Sequence, residues 1–134
     1  MGKQMKITFP DGLRINAEYK GFVIETDQPA YAGGEASAPA PFDLFLASIG
    51  TCSAYYVLAF CKERKIPTKD AYVILTTERN PQTKRVDRIS LEINLPPEFP
   101  EKYKNAVLKA VDNCSVKKHI LNAPIFDIKA KIIG

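Results

Sequence analysis

The sequence predicts an α+β fold in which antiparallel sheets wrap around one long, buried central helix, in the order β-β-β-α-β-β-α-α-β. Three observations carry this. Residues 37–67, SAPAPFDLFLASIGTCSAYYVLAFCKERKIP, contain a helix-length run that is apolar nearly all the way round. Residues 3–26 and 72–95 alternate apolar and polar side chains in short runs broken by turn residues, the pattern of half-buried strands. After Pro100 the apolar residues Tyr103, Ala106, Val107, Ala110 and Val111 return to helical spacing. The 134 residues suit a single domain over 1–134, without internal repeat or linker.

Taken in order, Lys3–Phe9 and Leu13–Thr26 read as a three-stranded meander, turned at Pro10-Asp11-Gly12 and Lys20-Gly21. Residues 27–41, DQPAYAGGEASAPAP, form a loop, flexible at its glycines and stiff at its prolines. Pro41 suits the first helical turn, where its missing N–H costs nothing. Asp43 sits near the positive end of the helix dipole, and Lys62, Arg64 and Lys65 near the negative end. At 1.5 Å per residue this helix spans ~36 Å, about the width of a small domain. Ser48, Gly50, Thr51 and Ser53 interrupt the apolar run, which argues for a covered core helix over a bilayer span. Tyr72–Thr77 and Arg88–Leu95 then pair across the turn Arg79–Thr83. A helix follows Pro100, a short helix covers Ser115–Leu121, and Ile125–Ile133 alternates as a last strand. A chain this small would struggle to cover so apolar a helix and every strand edge, so an intertwined homodimer is expected.

Composition narrows the function classes. Net charge is +4, with cations scattered among acids and no aromatic residues interleaved in a basic block, which leaves nucleic-acid binding without support. The polar start Met1–Lys6 does not read as an export signal, and three cysteines do not make a secreted disulfide framework. A cytoplasmic protein with reduced thiols is expected, and attention moves to reactivity.

Cys52 and Cys61 lie nine residues apart on one predicted helix, ~2.5 turns and ~13.5 Å along its axis, on opposite faces. A disulfide needs Cα atoms within ~7 Å, so these two do not pair in one chain. Cys61 reads as a small core or interface residue. Cys114 falls between two helices and is placed to cap the second, where N–H groups and nearby cations lower a thiol pKa. Spacing alone leaves Cys52 and Cys114 open as two unrelated buried thiols. A metal site from Cys52, Cys114 and the single histidine, His119, lacks the close-spaced ligand pairs zinc prefers; His119 reads as a surface or capping residue beside Lys117 and Lys118.

The run Ala38–Cys52 (APAPFDLFLASIGTC) resembles the first cysteine motif of the OsmC/Ohr family, the osmotically inducible and organic hydroperoxide resistance proteins. Residues Asp112–Leu121 (DNCSVKKHIL) resemble its second cysteine motif, and the order of elements is similar over nearly the whole chain. The resemblance implies a cysteine-based thiol peroxidase that reduces organic, including lipid-like, hydroperoxides to alcohols. Cys52 would be the attacking thiol and Cys114 the resolving thiol, joined as a disulfide that an external dithiol reduces, with no metal or organic cofactor. An apolar pocket from residues such as Phe42, Phe45, Tyr55 and Tyr56 would favour organic substrates. The Ohr type carries a glutamate ten residues before the first cysteine that clamps an activating arginine; Phe42 occupies that position here, and Arg14 is the candidate arginine. This places the chain with the OsmC-like branch. The alternative it implies is a non-catalytic dimer that binds an apolar small molecule or a protein partner.

Overall fold

The computed structural model describes residues 3–134. Met1 and Gly2, part of the stretch read as lacking an export signal, lie outside the described residues. The class is α+β, as the sequence predicts: the described residues form two antiparallel sheets and three α-helices. The chain resolves into two compact units, residues 1–47 and 48–134.

In the first unit, β1 (Lys6–Thr8), β2 (Ile15–Tyr19) and β3 (Phe22–Thr26) form the expected meander in the order β1-β2-β3. Tyr19 faces Phe22 across a two-residue turn in which Lys20 (φ 51°) and Gly21 (φ 81°) both take positive φ, the geometry whose twist matches a hairpin. The following loop is tied at its neck by Asp27, which is buried. Its carboxylate accepts from the Gln28 N–H (2.7 Å), the Ser37 N–H (3.0 Å) and the Ser37 hydroxyl (2.6 Å). Gln28 O accepts from Ala36 N–H at 3.0 Å, and the crossing is close enough that a Cβ on Gly34 would lie 2.0 Å from Gln28 O.

The helix α1 (Pro41–Glu63) starts at Pro41, as its sequence dictates. Asp43 also closes the start: its carboxylate accepts from the Ala40 N–H at 3.0 Å, satisfying a donor that the helix leaves orphaned. The far end closes as a Schellman motif. Lys65 takes the left-handed conformation (φ 57°), Ile66 N–H donates to Cys61 O (2.8 Å) and Lys65 N–H to Lys62 O (3.2 Å). By length and apolar composition alone α1 could cross a bilayer. Its buried residues are Ile49, Ser53, Val57, Phe60 and Cys61, a stripe at helical spacing.

In the second unit, β4 (Tyr72–Arg79) pairs with β5 (Val86–Asn94) from Tyr72↔Asn94 to Arg79↔Val86, with a bulge at Glu78/Arg79. The turn is held by Asn80, whose side-chain oxygen accepts from Gln82 and Thr83 N–H. A 3-10 turn at Glu101–Tyr103 leads into α2 (Lys104–Val111), and α3 (Ser115–Leu121) follows. Val57, Phe60 and Cys61 of α1 meet Val107 of α2 in the core of this unit, with Ile66, Ile93, Leu95, Phe99 and Tyr103 packed around them. Cys61 is fully buried there, a core thiol as its sequence position suggested.

Two expectations need correction. Among the described residues Ile125–Ile133 forms no strand: a strand exists only through its ladder, and this segment enters none. Its Ile125, Phe126, Ile128, Ile132 and Ile133 are 80–99% exposed. Nor is α1 covered on every side. Phe42, Phe45, Tyr55 and Leu58 stand exposed, because one chain of this size buries a single stripe of the helix and leaves the remainder open.

Candidate functional site

Two of the three cysteines come together, both within the second unit. Cys52 projects from the middle of α1 and is partly accessible; Cys114 lies in the link between α2 and α3 and is fully buried. All three thiols are free. Cys114 is the N-cap of α3: its sulfur accepts from the Lys117 N–H at 3.4 Å. The side chains of Cys52 and Ser53 donate toward the same sulfur, and the Val116 N–H adds a fourth donor. Burial pushes the Cys114 thiol pKa up, but these hydrogen bonds, led by that of Lys117 N–H, outweigh it and bring it below the ordinary range. For Cys61 the reverse holds: burial raises its pKa against a smaller pull from Arg64.

Sequence reasoning missed Ser53. The signal was present, for Ser53 shares its stripe with Ile49, Val57 and Cys61, and a hydroxyl buried on an apolar stripe requires a partner. That partner is Cys114. Around the pair, the Lys117 ammonium is committed to Asp112 at 2.8 Å, and the exposed His119 holds Ser115 O through Nδ1 at 2.7 Å. Arg14, proposed as the activating arginine, donates from Nη2 to Glu25 at 3.0 Å, while its buried Nε lies 3.9 Å from Asp11 and has no hydrogen-bond partner among the described residues. Among the described residues no group of three or more His, Cys, Asp or Glu side chains is placed to hold a metal ion.

The aromatic residues named as pocket candidates separate. Phe42 and Phe45 stack with each other, ring centroids 5.3 Å apart. Tyr55 lines an apolar hollow of about 420 Å³ with Thr51, Leu58, Ala71, Tyr72 and Asn94. Tyr56 lines a second hollow of about 420 Å³, more polar, with Phe60, Arg64, Lys109 and Asn113.

The family model of OsmC-like proteins matches residues 34–129, a span that includes both cysteines and the helix between the sheets in sequence. The chain belongs to the OsmC family. Solved structures agree on the fold. An osmotic stress induced and detoxification response protein from Psychrobacter arcticus is 22% identical, with a TM-score of 0.74 over 88% of each chain. An OsmC-like protein from Mycoplasma pneumoniae is 16% identical, TM-score 0.67, over 92% of this chain and 89% of that one. An organic hydroperoxide resistance protein from Legionella pneumophila is 16% identical, TM-score 0.54, over 90% and 89%. No functionally curated protein matches the chain by sequence.

Proposed function

We propose that this OsmC-family chain is a thiol peroxidase for organic hydroperoxides, with Cys52 as the attacking thiol and Cys114 as the resolving thiol. The observation that carries the reading is the meeting of a partly accessible Cys52 with a buried, hydrogen-bonded Cys114. Sulfenic acid chemistry asks for this arrangement, because a second thiol must trap the oxidised sulfur before further oxidation. Structural neighbours named as organic hydroperoxide resistance proteins, from Legionella pneumophila and Vibrio cholerae, support the substrate class. The apolar hollow beside Thr51, the residue before Cys52, is suited to the organic part of such a substrate.

In the reaction, the Cys52 sulfur takes the terminal oxygen of the hydroperoxide, the O–O bond breaks, and an alcohol leaves. Cys114 then attacks the Cys52 sulfenic acid, forming the disulfide and releasing water. An external dithiol returns both cysteines to thiols, and no metal or organic cofactor takes part. A reducing compartment such as the cytoplasm would keep the resting thiols free. The open face of α1 and the exposed apolar segment at residues 125–133 support a homodimer, in which a second copy covers both.

Mass spectrometry after one equivalent of cumene hydroperoxide tests the assignment. A Cys52–Cys114 disulfide in the wild type, absent in Cys52→Ser, is the expected result. Unreacted thiols in the wild type would overturn it and favour a dimer that binds an apolar ligand in the hollow at Tyr55. Sedimentation that shows a stable monomer at micromolar concentration would remove the dimer.

A further inference from the structure

We infer that Cys114 acts before resolution as well as during it: its sulfur, positioned by Ser53, is the base that takes the Cys52 proton as Cys52 attacks. The inference rests on the peroxidase reading and deepens it.

The geometry starts from α1. Residues 52 and 53 are adjacent on the helix, ~100° apart, so their side chains approach Cys114 from neighbouring directions. Both donate toward its sulfur, and the Lys117 N–H completes the set from α3 at 3.4 Å. A sulfur that receives hydrogen bonds from several donors, in a place shut off from water, is best satisfied as the thiolate. The charged groups nearby leave that role to the hydrogen bonds, since the Lys117 ammonium is paired with Asp112 and the His119 imidazole is turned to Ser115 O. The lowered pKa of Cys114 agrees with this.

The consequence follows from who donates to whom. A Cys52 S–H that donates to the Cys114 sulfur is a thiol already hydrogen-bonded to its base. Where the Ohr-type glutamate would stand, this chain has Phe42. The neighbouring sulfur then serves as the proton acceptor for Cys52. As Cys52 sulfur bonds to the terminal hydroperoxide oxygen, its proton moves to Cys114 sulfur. The O–O bond breaks, and the departing alkoxide takes that proton and leaves as alcohol, so that Cys114 is again a thiolate. The Cys114 thiolate then attacks the sulfenic sulfur; hydroxide leaves and is protonated by solvent. The hydroperoxide gains two electrons and the dithiol loses two, which the external dithiol later restores.

The test uses the full chain and follows Cys52 alone. Rapid-quench mass spectrometry measures Cys52 sulfenic acid formation with cumene hydroperoxide, from pH 5 to 10, in wild type, Cys114→Ser and Ser53→Ala. Alkylation of Cys52 by iodoacetamide over the same range needs no peroxidase activity. A free cysteine is ~3% thiolate at pH 7, so loss of the base should slow the first step about thirtyfold there, with a rate that climbs toward the free-thiol pKa of about 8.5. Ser53→Ala should move the midpoint of the pH profile upward with unchanged circular dichroism, a shift that a purely structural role would not give. Alkylation that shows the same dependence on Cys114, with no peroxide consumed by the wild type, supports the shared proton and removes the peroxidase reading. Equal rates and equal pH profiles in wild type and Cys114→Ser overturn the inference and leave Cys114 a resolving thiol only.

Discussion

Replacing Phe60 with alanine should be the most costly single truncation of the packing that holds α1 in the second unit. Phe60 is buried and touches two other rings, Phe99 at 6.0 Å and Tyr103 edge-on at 5.9 Å between centroids. The Arg64 guanidinium stacks on its outer face at 3.6 Å. Truncating a buried phenylalanine costs about 3–5 kcal/mol, through lost transfer energy and the cavity left behind. Each ring pair adds about 0.5–1.5 kcal/mol beyond area, and a partly exposed cation–π contact about 0.5–1 kcal/mol. These contributions overlap, so a loss of about 4–5 kcal/mol is expected, from a total of roughly 7–20 kcal/mol for a chain of this length. Urea unfolding followed by circular dichroism at fixed protomer concentration is the assay. With a slope of about 2 kcal/mol/M, the midpoint should fall by about 2 M. Arg64→Met, which keeps the aliphatic stem, should lose only the cation–π contacts and the Nη1–H bond to Phe60 O at 3.2 Å, less than the Phe60 truncation. A midpoint shift under about 0.5 M for Phe60→Ala, at unchanged slope, would refute the placement of Phe60 at the centre of this core.

Three further perturbations test other joints. Asp27 is held at a pKa of about 2, against 3.8, chiefly by the Ser37 hydroxyl, and therefore binds its proton less readily when folded. Its contribution should be complete above about pH 4 and lost as pH falls through about 2, and urea midpoints of wild type and Asp27→Asn at pH 5, 3 and 2 should converge toward the lowest pH. Lys65→Gly should stabilise the chain by about 1 kcal/mol, since Lys65 takes positive φ at the helix C-terminus, and thermal melts would read this as a rise in Tm. Gly34→Ala should loosen the 27–37 loop, because its Cβ would meet the backbone oxygen of Gln28 at 2.0 Å, and amide exchange at Ala36 should speed up.

Local chemistry made much of the fold legible. Pro41, Asp43 and the basic tail bound α1, Lys20-Gly21 fixed the hairpin, and Cys114 capped α3, because each feature depends on residues within a turn or two of itself. What escaped was non-local. The alternation in Ile125–Ile133 records two faces of different polarity, and periodicity is silent about whether a neighbouring strand exists to pair with. The burial of Asp27 depends on Ser37, ten residues on, and no spacing rule brings a carboxylate to a serine across a loop.

The site shows the same division within a single helix turn. Cys52 was singled out through its motif and Cys114 through its place at a helix start, yet neither signal says how the two sulfurs are hydrogen-bonded. That follows from the donors gathered around each sulfur, and for Cys114 they come from two elements, Ser53 and Cys52 on α1 and backbone N–H groups of α3. Phe42 in place of an acid reads, from sequence alone, as a missing activator. Under the proposed mechanism the activating role falls to Cys114, the thiol placed beside Cys52 for resolution. On that proposal one buried, hydrogen-bonded sulfur serves as base, proton donor and nucleophile in turn, and the pH profiles of Cys114→Ser and Ser53→Ala decide it.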